Sequence, residues 1–133
     1  MNLTYLINPP LENTVLNTLF SSAWGKPYNV DFQPELNAAL CYICAFDDSK
    51  LIGFVKLIGD AGVHAFLLDP SVHQDYKRLG IGQELVAQAV AFAKEHGCEW
   101  VHVDFDDDLE PFYTKCGFKP TKAGLIALSG ETF

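Results

Sequence analysis

The sequence predicts an α/β (α+β) fold, with a mixed and mostly antiparallel sheet of six to seven strands and helices on both faces. Two strand-like segments, 41–46 and 51–58, are separated by a short polar turn, which is typical of an antiparallel hairpin. A long amphipathic segment, 79–96, lies between two further strand-like segments, 63–72 and 100–105. The order strand, helix, strand indicates parallel neighbours that are joined by a right-handed crossover. A hairpin and a crossover together predict a mixed sheet.

The first forty residues predict one strand and two helices. Residues 3–7 form an apolar strand that Asn8-Pro9-Pro10 ends. Residues 11–23 are helical, and residues 24–34 are irregular because they contain helix-breaking glycine and proline. A short helix over 34–40 begins at a proline, which suits the first helical turn. The apolar face of the first helix comprises Leu11, Val15, Leu16 and Leu19.

The second half of the chain carries the longest predicted helix. Gly97 ends this helix, since a glycine readily takes the left-handed conformation that follows a last turn. Residues 100–105 then predict a strand, residues 109–116 a short helix and residues 118–128 a closing hairpin. The buried stripe of the long helix has helical spacing and consists of Ile81, Leu85, Val86, Ala89, Val90 and Ala93.

Length and composition predict a single domain, residues 1–133. Hydrophobic residues make up 49% of the 133-residue chain, which is typical of a soluble globular protein that buries a core. No apolar run approaches the roughly 20 residues that cross a bilayer. The N-terminal residues lack the basic start and the cleavage site of a signal peptide. We therefore expect a cytoplasmic protein with no membrane partner.

The net charge of −8 argues against a nucleic-acid partner, which needs a basic face. The same charge suits a cationic substrate. Much of it lies in one segment just before Tyr113, for which two interpretations stay open: solvated residues that cap a helix, or a rim that attracts an amine. The acidic residues of this segment are Asp104, Asp106, Asp107, Asp108 and Glu110.

The four cysteines predict buried structural thiols rather than a metal or redox site. Cys41 and Cys44 have C-x-x-C spacing, but they lie in a predicted strand, where residues three apart face opposite sides. Cys98 and Cys116 stand too far apart to form a second pair with ligand spacing. We therefore expect no metal cofactor.

The segment 72–82 predicts a phosphate-binding turn. It follows a strand, contains the adjacent cations Lys77 and Arg78, and places Gly80 and Gly82 at the start of the long helix. The backbone N–H groups of a first helical turn lack intrahelical partners and carry the positive end of the helix dipole. Glycine has no Cβ, so phosphate oxygens can approach these amides closely. The glycine spacing matches neither the Walker A loop nor the dinucleotide-binding motif.

About 30 residues downstream stands a second motif, Phe112-Tyr113-Thr114-Lys115-Cys116-Gly117-Phe118. Together with the glycine turn, it resembles the paired motifs of the GNAT superfamily of acetyl-CoA-dependent N-acetyltransferases, over roughly residues 42–128. The resemblance implies a small single-domain member with the GNAT fold, in which the central parallel strands splay apart. It also implies that acetyl-CoA is the co-substrate and that the acetyl group passes directly to an amine in a ternary complex.

The same resemblance implies that Tyr113 is the general acid that protonates the departing coenzyme thiolate. A phenol with an ordinary pKa near 10 keeps its proton at neutral pH. Adjacent helical residues point about 100° apart, so we expect Phe112 to fill the core while Tyr113 faces the cleft. Asp69, at the end of the central strand, is the first candidate for the general base. The alternatives are His64, His102 and Asp104.

The resemblance also implies where the coenzyme binds. Pro70 has no N–H, so it can neither continue a ladder nor hold the thioester oxygen. Either Ser71 or Val72 supplies the backbone N–H that donates to the thioester oxygen, or the stabilisation of the oxyanion is weak. The pantetheine arm is expected along Pro70, Ser71 and Val72, and the pyrophosphate is expected at Lys77, Arg78, Leu79, Gly80, Ile81, Gly82 and Gln83.

Several functions within this family stay open at the level of the sequence. The acidic charge favours a small cationic primary amine as the acceptor, and a protein lysine or N-terminus is the alternative acceptor. Outside the enzymes, a non-catalytic coenzyme-A-binding sensor is the alternative. We expect segment 24–34, with Trp24, Tyr28 and Phe32, to form one wall of the acceptor pocket. Homodimers are frequent in the family, so a homodimer is a further expectation.

Overall fold

In the computed structural model, which describes residues 1–130, the helices and strands follow the predicted order. The strands are β1 (Leu3–Ile7), β2 (Cys41–Asp47), β3 (Lys50–Gly59), β4 (His64–Val72) and β5 (Trp100–His102). The helices are α1 (Asn13–Trp24), α2 (Gln33–Ala38), α3 (Ile81–Glu95) and α4 (Glu110–Lys115), and single 3-10 turns cover Gln74–Tyr76 and Asp107–Leu109. The chain divides into two units, Met1–Val103 and Asp104–Phe133. The first unit holds the whole sheet, and the second holds α4.

The five strands form one sheet in the order β1-β2-β3-β4-β5. Strands β1 to β4 are antiparallel neighbours, and β5 pairs parallel to β4 after the crossover through α3. The predicted α/β fold with a mixed, mostly antiparallel sheet is therefore confirmed. The predicted bounds of β1 are also those of the structure.

Two predictions for the C-terminal part of the chain are wrong. The strand predicted over 100–105 ends at His102, and residues 118–127 contain no strand, so the described chain lacks the hairpin predicted over 118–128. The apolar residues that suggested this hairpin are exposed, with Ile126 at 87% and Leu128 at 94%. A two-stranded ribbon with no apolar face against a partner is only marginally stable. The sheet consequently has five strands instead of six or seven.

Helices pack on both faces of the sheet, as predicted. On one face, α1 and α2 enclose an aromatic cluster in which Phe20 meets Phe32 and Phe54 edge-on, at ring-centroid distances of 5.1 and 5.7 Å. On the other face, α3 packs against β2, β3 and β4. The predicted buried stripe of α3 is buried except for Val90, which is half-buried. Val15, which was predicted on the apolar face of α1, is 39% exposed.

Gly53 of β3 lies where α3 packs closely against the sheet. A Cβ at this position would lie 2.9 Å from Leu85 Cδ1 and 3.2 Å from both Ala45 Cβ and Ile81 Cγ2. We expect Gly53→Ala to lower the free energy of unfolding by about 1–3 kcal/mol, because the added methyl group overpacks this core. Urea unfolding monitored by circular dichroism measures the loss.

The matched control for this prediction is Gly59→Ala at the other end of β3. A Cβ there would meet Leu40 at an ordinary contact distance of 3.6 Å, and the backbone needs no glycine conformation. This variant should keep the wild-type urea midpoint. Equal midpoints for the two variants would contradict the overpacking argument.

Strand β4 contains a bulge at Asp69 and Pro70. Phe54 pairs with Ser71 and Lys56 pairs with Leu68, so two steps along β3 match three steps along β4. Asp69 has a φ of +56°, in the left-handed region that Asp tolerates better than most side chains. The bulge therefore changes which groups of β4 point to each edge and face of the sheet beyond Leu68.

Cys41 and Cys44 are buried free thiols, as predicted, and they lie on opposite faces of β2. Burial raises the pKa of both thiols to about 12. Both therefore stay protonated at neutral pH, and a protonated thiol is neither a nucleophile nor a good metal ligand. Within residues 1–130, no helix is long and apolar enough to cross a membrane.

Candidate functional site

The parallel pairing between β4 and β5 is short. It runs from His64 opposite Trp100 to Phe66 opposite His102, while β4 continues to Val72. Beyond Phe66, β4 pairs with β3 on one edge, and no strand in the described chain pairs with its other edge. The predicted splaying of the central strands is thus present. It leaves an open strand edge that a ligand with amide groups can pair with.

Val72 is the residue whose amide faces this open edge. The N–H of His73 donates to the carbonyl of Ile52 at 2.8 Å, so His73 bonds toward β3. In an antiparallel ladder the backbone groups of successive residues alternate between the two edges. The Val72 amide therefore points away from β3 and the Ser71 amide points toward it. Of the two candidate donors that the sequence left open, Val72 is thus the one whose amide faces the open edge.

The turn after β4 leads directly into the N-terminus of α3. Gly80 is the N-cap residue with a φ of +82°, and Arg78 also has a left-handed φ, of +66°. No side chain caps α3, and its first intrahelical bond runs from the Glu84 N–H to the Gly80 carbonyl. The amides of Ile81, Gly82 and Gln83 thus have no intrahelical acceptor. Together they form a site of positive potential that suits a phosphate group.

The predicted cations of this turn differ in their surroundings. The Lys77 ammonium donates to the carbonyl of Ala23 at the end of α1, at 3.0 Å, so it also holds the turn against that helix. Arg78 and Leu79 are exposed, and Leu79 is 52% exposed. Arg78 is therefore the cation of the turn whose side chain is turned to solvent beside the helix N-terminus.

Two hydrogen bonds anchor the 3-10 turn Gln74–Tyr76. The Gln74 N–H donates to Ser22 Oγ at 3.1 Å, and the Tyr76 hydroxyl donates to Asp47 Oδ2 at 2.6 Å. The bond from Tyr76 is the main reason that the pKa of the Asp47 carboxyl lies below its ordinary value. The turn is thus tied to α1 and to the β2–β3 hairpin.

Asp69 lies in an ion-pair network that the sequence did not predict. Its Oδ2 is 3.3 Å from the ammonium of Lys56, which also bonds Glu35 Oε1 at 2.8 Å. Both carboxylates are partly exposed, at 40% for Glu35 and 47% for Asp69. The one signal in the sequence is Lys56 itself, a charged residue within the apolar strand β3. Its partners on α2 and β4 become visible only in the folded chain.

Ser71 connects the same bulge to Trp24, the last residue of α1. Its buried hydroxyl donates to the Asp69 carbonyl and accepts a bond from Trp24 Nε1, each at 3.0 Å. Trp24 is 51% exposed, whereas Phe32 is buried and Tyr28 packs edge-on against Phe20. Of the three aromatic residues predicted to line an acceptor pocket, Trp24 is thus the one that lies next to the bulge and open to solvent.

The remaining candidates for the general base lie in other surroundings. His64 Nδ1 and His102 Nε2 are 2.8 Å apart, and the His102 ring also stacks on Phe66 with a centroid distance of 4.5 Å. Each imidazole is therefore already engaged by the other. Asp104 is exposed and belongs to the second unit. These contacts explain both histidines as structural partners across β4 and β5.

In the second unit, Tyr113 is surrounded by aromatic rings. Phe105 stacks on it with a centroid distance of 4.8 Å, and Phe112 and Phe118 meet it edge-on at 5.0 and 5.9 Å. Tyr113 is buried and Phe112 is half-buried, which is the reverse of the predicted orientation. Burial, together with Cys116 and Asp104, raises the pKa of the Tyr113 phenol to about 12. The hydroxyl makes no hydrogen bond to residues 1–130 of the chain.

The acidic segment of the second unit is solvated. All five of its carboxylates are exposed, and Asp106, at the start of the 3-10 turn, makes no capping bond with its side chain. The helix-capping interpretation is therefore not supported at that residue. Within the described chain, no three His, Cys, Asp or Glu side chains gather into a group that could hold a metal ion.

A family model described as the acetyltransferase (GNAT) family matches residues 13–118. Among curated proteins, an uncharacterized N-acetyltransferase, ycf52, of Pyropia yezoensis is 30% identical over 71 residues, which are 53% of this chain and 41% of that protein. An uncharacterized ycf52-like N-acetyltransferase of Prochlorococcus marinus is 32% identical over 69 residues, 52% of this chain and 38% of that protein. The chain thus spans about two-fifths of the length of these curated relatives.

Solved structures share the whole fold. A GNAT family acetyltransferase from Streptococcus pneumoniae TIGR4 superimposes with a TM-score of 0.81 at 23% identity, covering 97% of this chain and 99% of that one. A Trypanosoma brucei acetyltransferase superimposes with a TM-score of 0.79 at 17% identity, covering 95% and 99%. At these identities the likeness shows a common fold.

Proposed function

The chain belongs to the GNAT acetyltransferase family, and from that premise we propose that it transfers the acetyl group of acetyl-CoA to a small cationic primary amine. The observation that supports this most is the open edge of β4, which leads into the uncapped N-terminus of α3. The edge suits the amides of a pantetheine arm, and the helix start suits a pyrophosphate. The two features are adjacent in the chain, so one extended coenzyme reaches both.

The coenzyme is held mainly by the backbone. The pantetheine arm lies along Pro70, Ser71 and Val72, and the Val72 amide donates to it or to the thioester oxygen. The pyrophosphate accepts from the amides of Ile81, Gly82 and Gln83. Gly80 lets the chain enter the helix without a Cβ, and the space where that Cβ would stand is empty within 4 Å. Arg78 adds a positive charge from the solvent side.

The reaction combines one exchange of bonds with the proton transfers that accompany it. The acceptor ammonium first loses a proton through water to a carboxylate, for which Asp69 is the proposed base. The amine nitrogen then attacks the thioester carbonyl carbon, and a C–N bond forms. The C–S bond breaks, and the thiolate takes the phenol proton of Tyr113. The nitrogen passes its second proton through solvent to the phenolate, which restores the phenol, and Asp69 releases the first proton to solvent. The products are the acetamide, coenzyme A and one proton.

The charge around the bulge favours a cationic acceptor. Glu35 and Asp69 face a single ammonium group, that of Lys56, so this network carries one surplus negative charge. The exposed carboxylates of the segment 104–110 add to the negative potential of the chain. A negative potential concentrates cationic substrates near it. A protein lysine or N-terminus remains the alternative acceptor, because it presents the same ammonium group.

The coenzyme site is tested by thermal unfolding with and without acetyl-CoA. At about 100 times its Kd, the ligand should add roughly 2.7 kcal/mol, which raises the Tm by on the order of 10 °C for a domain of this size. We expect the double variant Gly80→Ala, Gly82→Ala to lose this shift, because its methyl groups keep the phosphates away from the helix amides. Differential scanning calorimetry measures both proteins.

The matched control is Gly97→Ala, at the opposite end of α3. Gly97 has the same φ of +82° as Gly80, and a Cβ there would also meet nothing within 4 Å. Its substitution costs a similar backbone strain of about 1–2 kcal/mol but should leave the acetyl-CoA shift intact. No shift in the wild-type protein at millimolar acetyl-CoA would overturn the proposed function.

Turnover is tested by the release of free thiol from acetyl-CoA in the presence of one amine at a time. Spermidine and kanamycin represent cationic small amines, and a lysine-containing peptide represents the protein acceptor. We expect kcat/KM to be highest for one of the two small amines and to fall as ionic strength rises, because salt screens the attraction. A preference for the peptide would replace the proposed acceptor by the alternative one.

A further inference from the structure

Lys56 is a buried ammonium group that the proposed reaction does not use directly. It stands in the middle of β3, and its side chain is 8% exposed. Lysine is rarely buried without a carboxylate partner, because removing an unpaired charge from water costs several kcal/mol. The contacts of the Lys56 ammonium must therefore explain why a lysine is buried among the apolar residues of β3.

Those contacts join three elements of the first unit. The ammonium bonds Glu35 on α2 at 2.8 Å and lies 3.3 Å from Asp69 on β4. Burial by itself lowers the pKa of Lys56, but the two carboxylates more than offset that effect, so its pKa is raised above the ordinary value. Lys56 is consequently positive at neutral pH, and the network holds two negative charges and one positive charge.

A purely stabilising role does not explain this arrangement well. Replacing a buried ion pair by apolar side chains of similar size is often neutral or stabilising, so a buried pair is weak evidence for stability. Asp69 has a left-handed φ at a bulge and is followed by a proline, which is a constrained backbone. Within residues 1–130, Lys56 is the only cation that pairs with the Asp69 carboxylate.

We propose that Lys56 is a positioning residue whose ammonium holds the Asp69 carboxylate at the bulge of β4, oriented toward the acceptor amine. This role rests on the proposed function and on Asp69 as the proposed base. Only 8% of the Lys56 side chain is exposed, whereas 47% of the Asp69 side chain remains open to solvent. Glu35 on α2 is the second carboxylate that bonds the Lys56 ammonium. Lys56 thus acts through Asp69.

The test is a double-mutant cycle on Lys56 and Asp69, with acetyl-CoA and the acceptor amine that is turned over fastest among spermidine, kanamycin and the lysine peptide. We expect Lys56→Met to lower kcat about 10–50-fold and to leave the KM for acetyl-CoA within about two-fold. Asp69→Asn should lower kcat at least as much. If Lys56 acts only through Asp69, Lys56→Met has no further effect in the Asp69→Asn background. Lys56→Arg, which keeps the charge, should restore most of kcat.

Lys94→Met is the matched control, since Lys94 is an exposed lysine in the last turn of α3 and should leave kcat unchanged in both backgrounds. The Tm of every variant is recorded. If Lys56→Met is unfolded at the assay temperature, Lys56→Gln takes its place in the cycle with the same expected pattern. If the losses of kcat from Lys56→Met and Asp69→Asn multiply in the double variant, the positioning role of Lys56 is overturned. An Asp69→Asn variant with wild-type kcat would overturn it too. Neither outcome would overturn the proposed acetyl transfer. A wild-type protein that binds no acetyl-CoA and acetylates none of the three amines overturns the proposed function, and this role with it.

Discussion

Replacing Tyr113 by Phe lowers kcat about 100-fold and leaves the Kd for acetyl-CoA within two-fold of the wild-type value. In the proposed mechanism the phenol supplies the proton that the departing thiolate takes up, and general acid catalysis contributes typically 10²–10⁴-fold. We expect the lower end of that range, because burial raises the pKa of Tyr113 to about 12 and makes the phenol a weaker acid. Steady-state kinetics and calorimetric titration with acetyl-CoA measure the two quantities.

The control for this prediction is Tyr5→Phe on β1, which removes the hydroxyl of a half-buried tyrosine outside the candidate site. It should keep the wild-type kcat. Comparison of the wild-type protein with Tyr113→Phe also distinguishes an enzyme from a coenzyme-binding sensor. A sensor binds acetyl-CoA and has no turnover to lose, so wild-type protein and Tyr113→Phe would show the same baseline release of thiol. In that case Tyr113 would be a core aromatic residue, consistent with its three ring contacts.

The largest expected loss of stability follows from replacing Phe54 by Ala. Phe54 is 1% exposed and packs against Phe20 edge-on and against Tyr42 in a stacked arrangement, at 5.7 and 6.0 Å. We expect a loss of about 3–5 kcal/mol, because truncation removes buried apolar area and leaves a cavity. That loss is a large part of the 5–15 kcal/mol that a typical domain has. Urea unfolding followed by tryptophan fluorescence measures it.

Val15→Ala on α1 is the control, since Val15 is 39% exposed although the helical pattern placed it on the buried face. This variant should stay within about 0.5 kcal/mol of the wild-type protein. If Phe54→Ala loses no more than Val15→Ala, the aromatic cluster under α1 and α2 is not the main core on that face of the sheet.

Where local pattern dominates, the sequence predicted the structure well. The stripe of α3 has a helical period, and Gly80 and Gly97 mark its two ends, both with a left-handed φ of +82°. The hairpin between β2 and β3 follows from two apolar runs and a polar turn. The pattern failed at 118–128, where apolar residues suggested strands. Strand pairing needs a partner edge, which local sequence does not specify.

In the candidate site too, residues that are neighbours in the chain could be predicted from the sequence, whereas residues that meet only in the folded chain could not. The turn proposed to bind phosphate lies in one continuous segment, so residues 77–83 could be selected from the sequence. Lys56, Glu35 and Asp69 could not, because they come from β3, α2 and β4, and Lys56 and Glu35 are 21 residues apart in the chain. The orientation of the Val72 amide also escaped prediction, since it depends on the register of β4 and on its bulge.

The sequence by itself determined the order of helices and strands, the mixed sheet and the turn that leads into α3. These features depend on periodicity and on glycine, whose effects act over a few neighbouring residues. The tertiary structure alone decided that Lys56 pairs with Asp69, that Val72 faces the open edge of β4, and that Tyr113 is more buried than Phe112. Each of these depends on which elements pack together and in which register, and long-range pairing of that kind leaves no periodic trace in the chain.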